Sequence, residues 1–171
     1  EDFRRQEYNV LRVNSGTPQE ELFVERVEGE RYGWLSGFIS GVGLVRKLRE
    51  TRVHVGFSRL LPKTDRGDPG VQPLKLSSRI NWMPAIEVRG EGIFVELDRP
   101  ALDHWAALPH VTGRLGSLIA DYASKRAQRG LSPRMIDARL LMMHTLANVL
   151  IKELTFSCGY VSASLRERLY C

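Results

Sequence analysis

Residues 133–171 read PRMIDARLLMMHTLANVLIKELTFSCGYVSASLRERLYC, and their periodicity decides how the C-terminal half folds. Ser132 is placed to cap a helix, and Pro133 suits a first helical position, where its missing N–H has no intrahelical acceptor to lose. Ile136, Leu140, Met143, His144, Ala147, Ile151 and Leu154 recur at the three- and four-residue steps of one helical face. Leu141, Met142, Leu146, Val149 and Leu150 fill most of the remaining circumference. This spacing predicts one long buried helix of roughly 23 residues, about 35 Å at 1.5 Å per residue. Arg139 and Lys152 bracket too few apolar residues for a bilayer crossing. Gly159 is the expected stop, and Ser162 or Ser164 is placed to cap a second, short helix through Tyr170.

His144, Thr145 and Asn148 are the polar exceptions in this helix, and they require hydrogen-bond partners. His144 and Asn148, four apart, share a face. Either they address a common ligand, or they are a satisfied pair that holds the helix in register, the reading their residue types favour.

Working towards the N-terminus, Val111 to Arg129 reads as an amphipathic helix that turns Leu115, Leu118, Ile119, Tyr122 and Ala123 to the final helix, with Gly130 ending it. Leu102 to Leu108 is a shorter helix after Arg99-Pro100. In Pro84 to Asp98, Ile86 and Val88 alternate in one parity, and Ile93, Val95 and Leu97 in the other. The intervening Gly90-Glu91-Gly92 is therefore expected to be a bulge or a hairpin turn. Glu87, Arg89, Glu91 and Glu96 read as the solvated face of a half-buried sheet. Leu22 to Val27 alternates as a strand. The GFISGVG of residues 37–43 lacks the Lys-Ser/Thr of a phosphate loop and reads as a glycine-bearing strand or tight turn. Leu48 to Glu50 is expected to make a turn of helix before a strand over Val53 to Phe57, and Pro62 to Pro73 a polar loop. Residues 1–13 form a short helix or an extended lead-in. The fold class is α+β: a strand-rich, mostly antiparallel region over residues 1–100, packed against a helical region over 101–171 as one compact unit.

At 171 residues, 43% hydrophobic and 26% charged, the chain has the composition of a globular protein, which excludes disorder for most of it. An opening at Glu1 and a last residue, Cys171, directly after a helix suggest a piece of a larger protein. Cys158 and Cys171 are expected to be free thiols in a reducing cytoplasm. Two cysteines and His144 at irregular spacing do not make a four-ligand zinc site, although Cys171 could be the first ligand of one completed elsewhere. The net charge of +5 favours an acidic partner, and its distribution is uneven. Arg46, Lys47, Arg49, Arg52, His54 and Arg59 fall within fourteen residues, opposed only by Glu50. Lys125, Arg126, Arg129, Arg134 and Arg139 surround the turn between the two long helices. Either these groups form a phosphate-tracking surface or they are two separately solvated faces.

The segment HTLANVLIKELTFSCGYVSASLRERLY (144–170) resembles an uncharacterised-domain family found at the C-terminus of DEAD/DEAH-box helicases and in the DrmB-type proteins of the DISARM phage-defence system. FRRQEYNVL (3–11), LRETRVHVGFSRL (48–60) and NWMPAIEVRGEGIFVELD (81–98) look more like the DrmB-type sequences. The resemblance implies a noncatalytic component of a bacterial, cytoplasmic anti-phage complex that acts on DNA with a helicase-type partner. No membrane association or small-molecule substrate is evident. On this reading Arg46, Lys47, Arg49, Arg52, Arg59, Lys125, Arg126 and Arg129 contact phosphate, while His144, Asn148, Cys158, Arg166, Glu167 and Arg168 form a docking or folding motif. A second histidine often stands in the family where this chain has Asn148, which weakens any two-histidine metal pair. The resemblance implies no cofactor in this stretch and a zinc-binding cysteine cluster in the longer protein. Two other readings are an accessory zinc-bearing end of a helicase polypeptide and a nuclease built on His144, Glu153 and a strand carboxylate. The nuclease reading lacks any nucleophile–base or metal motif.

Overall fold

The structure, a computed structural model, describes residues 2–27, 29–57, 72–73, 81–132 and 135–170. In chain order it runs α1 (Asp2–Leu11), β1 (Leu22–Val27), a 3-10 segment (Gly29–Gly37), β2 (Ile39–Val53), β3 (Gly56–Phe57) and β4 (Gln72–Pro73). There follow β5 (Ala85–Leu97), α2 (Arg99–Ala106), α3 (Pro109–Gln128), α4 (Ala138–Cys158) and a 3-10 turn (Ser162–Ser164). This is an α+β fold. It divides into a sheet unit, Asn9–Glu28 with Gly41–Val95, and a helical unit, Glu1–Tyr8 with Gly29–Ser40 and Glu96–Cys171.

The main sheet is antiparallel in the order β1-β2-β5, and β3 pairs with β4 separately. In the sheet unit Val24, Val45 and Phe94 are buried. Gly43 lies under them: a Cβ there would sit 3.4 Å from Val24 Cγ1, 3.6 Å from Phe94 Cβ and 3.1 Å from the Leu11 carbonyl oxygen. Glycine thus lets the chain cross the core without displacing it. The pairing steps from Leu22↔Leu48 and Phe23↔Lys47 to Val24↔Val45, so Arg46 is an extra residue on β2. A bulge there moves every following side chain to the other face.

β5 runs unbroken from Ala85 to Leu97, which excludes the hairpin turn anticipated as one alternative at Gly90-Glu91-Gly92. Phe94, in register with Ile86 and Val88, is the buried residue, whereas Ile93 is 54% exposed. Leu48 to Glu50 belongs to β2 and not to a helical turn, since β1 pairs along it through Leu22↔Leu48. The strand expected over Val53 to Phe57 is interrupted: β2 ends at Val53 and β3 begins at Gly56. Most of the expected 62–73 loop lies outside the described residues.

In the helical unit, Asp98 caps α2 by accepting from the Ala101 N–H at 2.8 Å, with Pro100 in the first turn. Gly130, at φ 67°, ends the α3 region. α4 starts later than the sequence suggests. Its N-cap is Asp137, whose Oδ1 accepts from the Leu140 N–H at 2.7 Å, and Pro133 lies outside the described residues. Replacing Asp137 by alanine should cost about 1 kcal/mol, read as a lower urea midpoint of the helical signal. Gly159 closes the helix in the left-handed region at φ 73°, as anticipated.

The expectation of a buried α4 is corrected. α2 and α3 pack on it, yet Ala138 is its one buried residue, and Phe156 is 85% exposed. Hydrophobicity around the whole circumference needs partners on every side, and two helices cover only part of it. The short helix expected through Tyr170 is also absent beyond the Ser162–Ser164 turn. Glu167 instead reaches His144, while Arg168 and Tyr170 both reach Glu7 of α1.

Candidate functional site

The arginines of β2 face carboxylates on β1, β5, the segment before β1 and β2 itself. Arg46 Nε meets Glu25 Oε2 at 2.5 Å on β1, and Arg49 lies 3.6 Å from Glu21 and 3.8 Å from Glu87. Arg52 pairs with Glu50 at 2.7 Å, and Lys47 donates to the Pro18 carbonyl. Arg89 adds contacts to Glu21 and Glu87. Four arginines therefore share four carboxylates while Lys47 meets a carbonyl, and the field they project is far smaller than the sequence run implies. His54 is exposed, and Arg59 lies outside the described residues.

The second group is divided as well. Lys125 pairs with Asp121 at 2.7 Å, and Arg139 with Asp103 at 2.8 Å. Arg126 donates to the Ser132 carbonyl at 2.6 Å and stands 5.6 Å from the Tyr122 ring centroid, a structural role that fixes the end of α3. Arg129 is exposed and has no partner among the described residues, and Arg134 lies outside them.

The family-motif residues converge in the helical unit. His144 Nδ1 meets Glu167 Oε1 at 2.7 Å, and Asn148 Nδ2 donates to the His144 carbonyl at 2.9 Å. The His–Asn pair is thus a satisfied one, with the histidine turned to a carboxylate. Arg168 pairs with Glu7 of α1, and the Tyr8 and Tyr170 rings lie 5.8 Å apart. Tyr8 in turn donates to Glu96 Oε1 at 2.9 Å. Burial pushes the Tyr170 hydroxyl pKa above its usual range, and its hydrogen bond to Glu7 adds to the rise, so Tyr170 stays protonated and can donate. The arrangement is a clasp in which each acid meets a base or a hydroxyl. Arg166 points to no partner among the described residues, and Cys158 is an exposed free thiol at the end of α4.

Glu7, Tyr8 and Glu96 escape sequence reasoning because their partners lie far along the chain, 161 residues for Glu7 and Arg168 and 88 for Tyr8 and Glu96. No group of three or more His, Cys, Asp or Glu among the described residues could hold a metal ion. Cys171, the residue considered as a zinc ligand, lies outside the described residues. No described helix is long and apolar enough to cross a membrane.

No protein-family model matches the chain. It is similar to a Bacillus paralicheniformis protein described as DISARM protein DrmB, with 34% identity over 131 residues. That alignment takes in 73% of this chain and 23% of the relative, so the chain spans about a quarter of the curated protein it matches. An identity of this level across nearly three quarters of the sequence supports the chain as part of a DrmB-type protein.

Proposed function

We propose that the chain is a noncatalytic, DNA-associated part of a DISARM anti-phage complex, acting in the bacterial cytoplasm beside a helicase-type partner. The observation that carries this reading is the 34% identity to the DrmB protein. The charge arrangement supports a role for the helical unit in contacting phosphate. Arg114, Arg129, Lys152 and Arg166 have no partner among the described residues, whereas the described arginines of β2 are already paired. An unpaired surface cation gives up no ion pair when it meets a phosphate.

The test is DNA binding by the full-length DrmB-type protein across a salt series, with Arg129→Glu, Arg166→Glu and the Arg46→Glu/Arg49→Glu pair. Arg129→Glu and Arg166→Glu should each weaken binding and reduce the salt slope by about one. The β2 pair should change it less. A folded protein that binds no DNA at low salt would remove DNA association from the proposal and leave a protein-contacting role in the complex.

A further inference from the structure

α2, α3 and α4 enclose a cleft of about 270 Å³ that none of the motif residues enters. Val111, Leu115, Ala138 and Leu141 make its apolar floor, and Trp105 of α2 forms a half-buried aromatic wall. On its rim stand His110 and Arg114, one helical turn apart on α3 and both exposed. Neither has a partner among the described residues, and no carboxylate lines the cleft. Asp103 of α2 is already engaged by Arg139 at 2.8 Å. The first turn of α3 carries no acidic residue and no side-chain cap, which adds to the positive potential of the rim.

We infer that this cleft binds one nucleotide unit of a single strand, with its base against Trp105 and the floor and its phosphate at Arg114 and His110. The inference deepens the DNA-associated reading and rests on it for the source of the nucleotide. The lining decides among ligand classes. An inorganic anion would leave the indole and the floor unused, and an apolar peptide side chain would leave both cations unused. A nucleotide uses all three features, since every base has a face that stacks on an aromatic ring. The volume admits about one ring system, below the span of a drug-sized pocket. Bases inside a duplex are stacked and cannot reach an indole recessed between helices, so the cleft selects single strands.

The experiment measures binding of labelled oligothymidylate and of a hairpin duplex to the full-length DrmB-type protein and to its Trp105→Leu and Arg114→Glu variants. Equilibrium dialysis with radiolabelled thymidine monophosphate runs alongside, with inorganic phosphate as competitor. Trp105→Leu keeps the wall apolar and should weaken single-strand binding about tenfold while leaving the duplex unchanged. Arg114→Glu should weaken oligothymidylate at least as much and abolish monophosphate binding, and inorganic phosphate should compete poorly. If both variants bind oligothymidylate like the unaltered protein while Arg129→Glu does not, the DNA reading stands and the cleft inference is overturned. If neither oligonucleotide binds but thymidine monophosphate does, in an Arg114-dependent way, the cleft survives and the DNA reading falls. If the monophosphate also fails to bind, both fall. Loss of helicase-partner association in Trp105→Leu, with nucleotide binding intact, would make the cleft an anchor for a protein side chain and overturn the inference.

Discussion

Replacing Phe94 by alanine should destabilise the sheet unit by about 3–5 kcal/mol, the cost of deleting a buried aromatic side chain from a core that cannot close around the gap. Phe94 is 8% exposed, and Val24 and Val45 are the other buried residues with apolar side chains in this unit among those described. With so few fully buried side chains, the loss of one removes a large share of the apolar burial that holds the strands together. Ile93→Ala is the control. That residue is 54% exposed, and its removal should change stability by no more than about 0.5 kcal/mol. Urea unfolding of both variants reads the difference. Equal losses would mean that β5 presents its other face to the core.

Replacing Gly16 by alanine should cost about 3 kcal/mol, from a backbone conformation that disfavours a Cβ and from a backbone contact that leaves no room for one. Gly16 has φ 73°, and a Cβ there would lie 2.0 Å from the Leu22 carbonyl oxygen. The adjacent Ser15 is held to Val24 by two backbone hydrogen bonds, of 3.0 and 2.8 Å, so the turn cannot ease the clash without breaking this bridge. Gly159 isolates the conformational part of the effect. It has the same φ of 73° but nothing within 4 Å of the built Cβ, and Gly159→Ala should cost about 1 kcal/mol. Unfolding midpoints of the two variants measure the contribution of the clash. Similar losses would show that the Gly16 turn rearranges freely.

The signals that were legible in the sequence are local ones. β1 follows from alternation, α3 from its amphipathic period, and the ends of α3 and α4 from Gly130 and Gly159, whose left-handed conformations are properties of single residues. The fate of α4 depended on a non-local quantity, the amount of surface available to cover it, and periodicity does not report this. In β5 the pattern of Ile93, Val95 and Leu97 drew attention from Phe94, because burial does not follow one parity along the strand: Ile93 and Ile86 are both exposed, and Val95 and Leu97 are half-buried. The actual shift of parity at Arg46 has no local mark; it exists only in the pairing with Phe23 and Val24. At the candidate sites, the basic run on β2 was visible, but the carboxylates of Glu21, Glu25 and Glu87 that answer it lie on other strands and loops. The cleft carried one faint local sign, His110 and Arg114 at helical spacing, while Trp105 joins them only through packing of α2 against α3.

The clasp between Glu7 and Arg168 also bears on how the protein is made. At ribosomal rates of about 5–20 residues per second, the 161 residues between them take on the order of ten seconds to emerge. Residues 9–28 and 41–95 have left the ribosome by a little over half of that interval, so the sheet can assemble on the nascent chain. Glu7 and Tyr8 must wait for Arg168 and Tyr170. Translation thus sets a sequence of events: strands first, and closure of the helical unit only when residues 165–170 arrive.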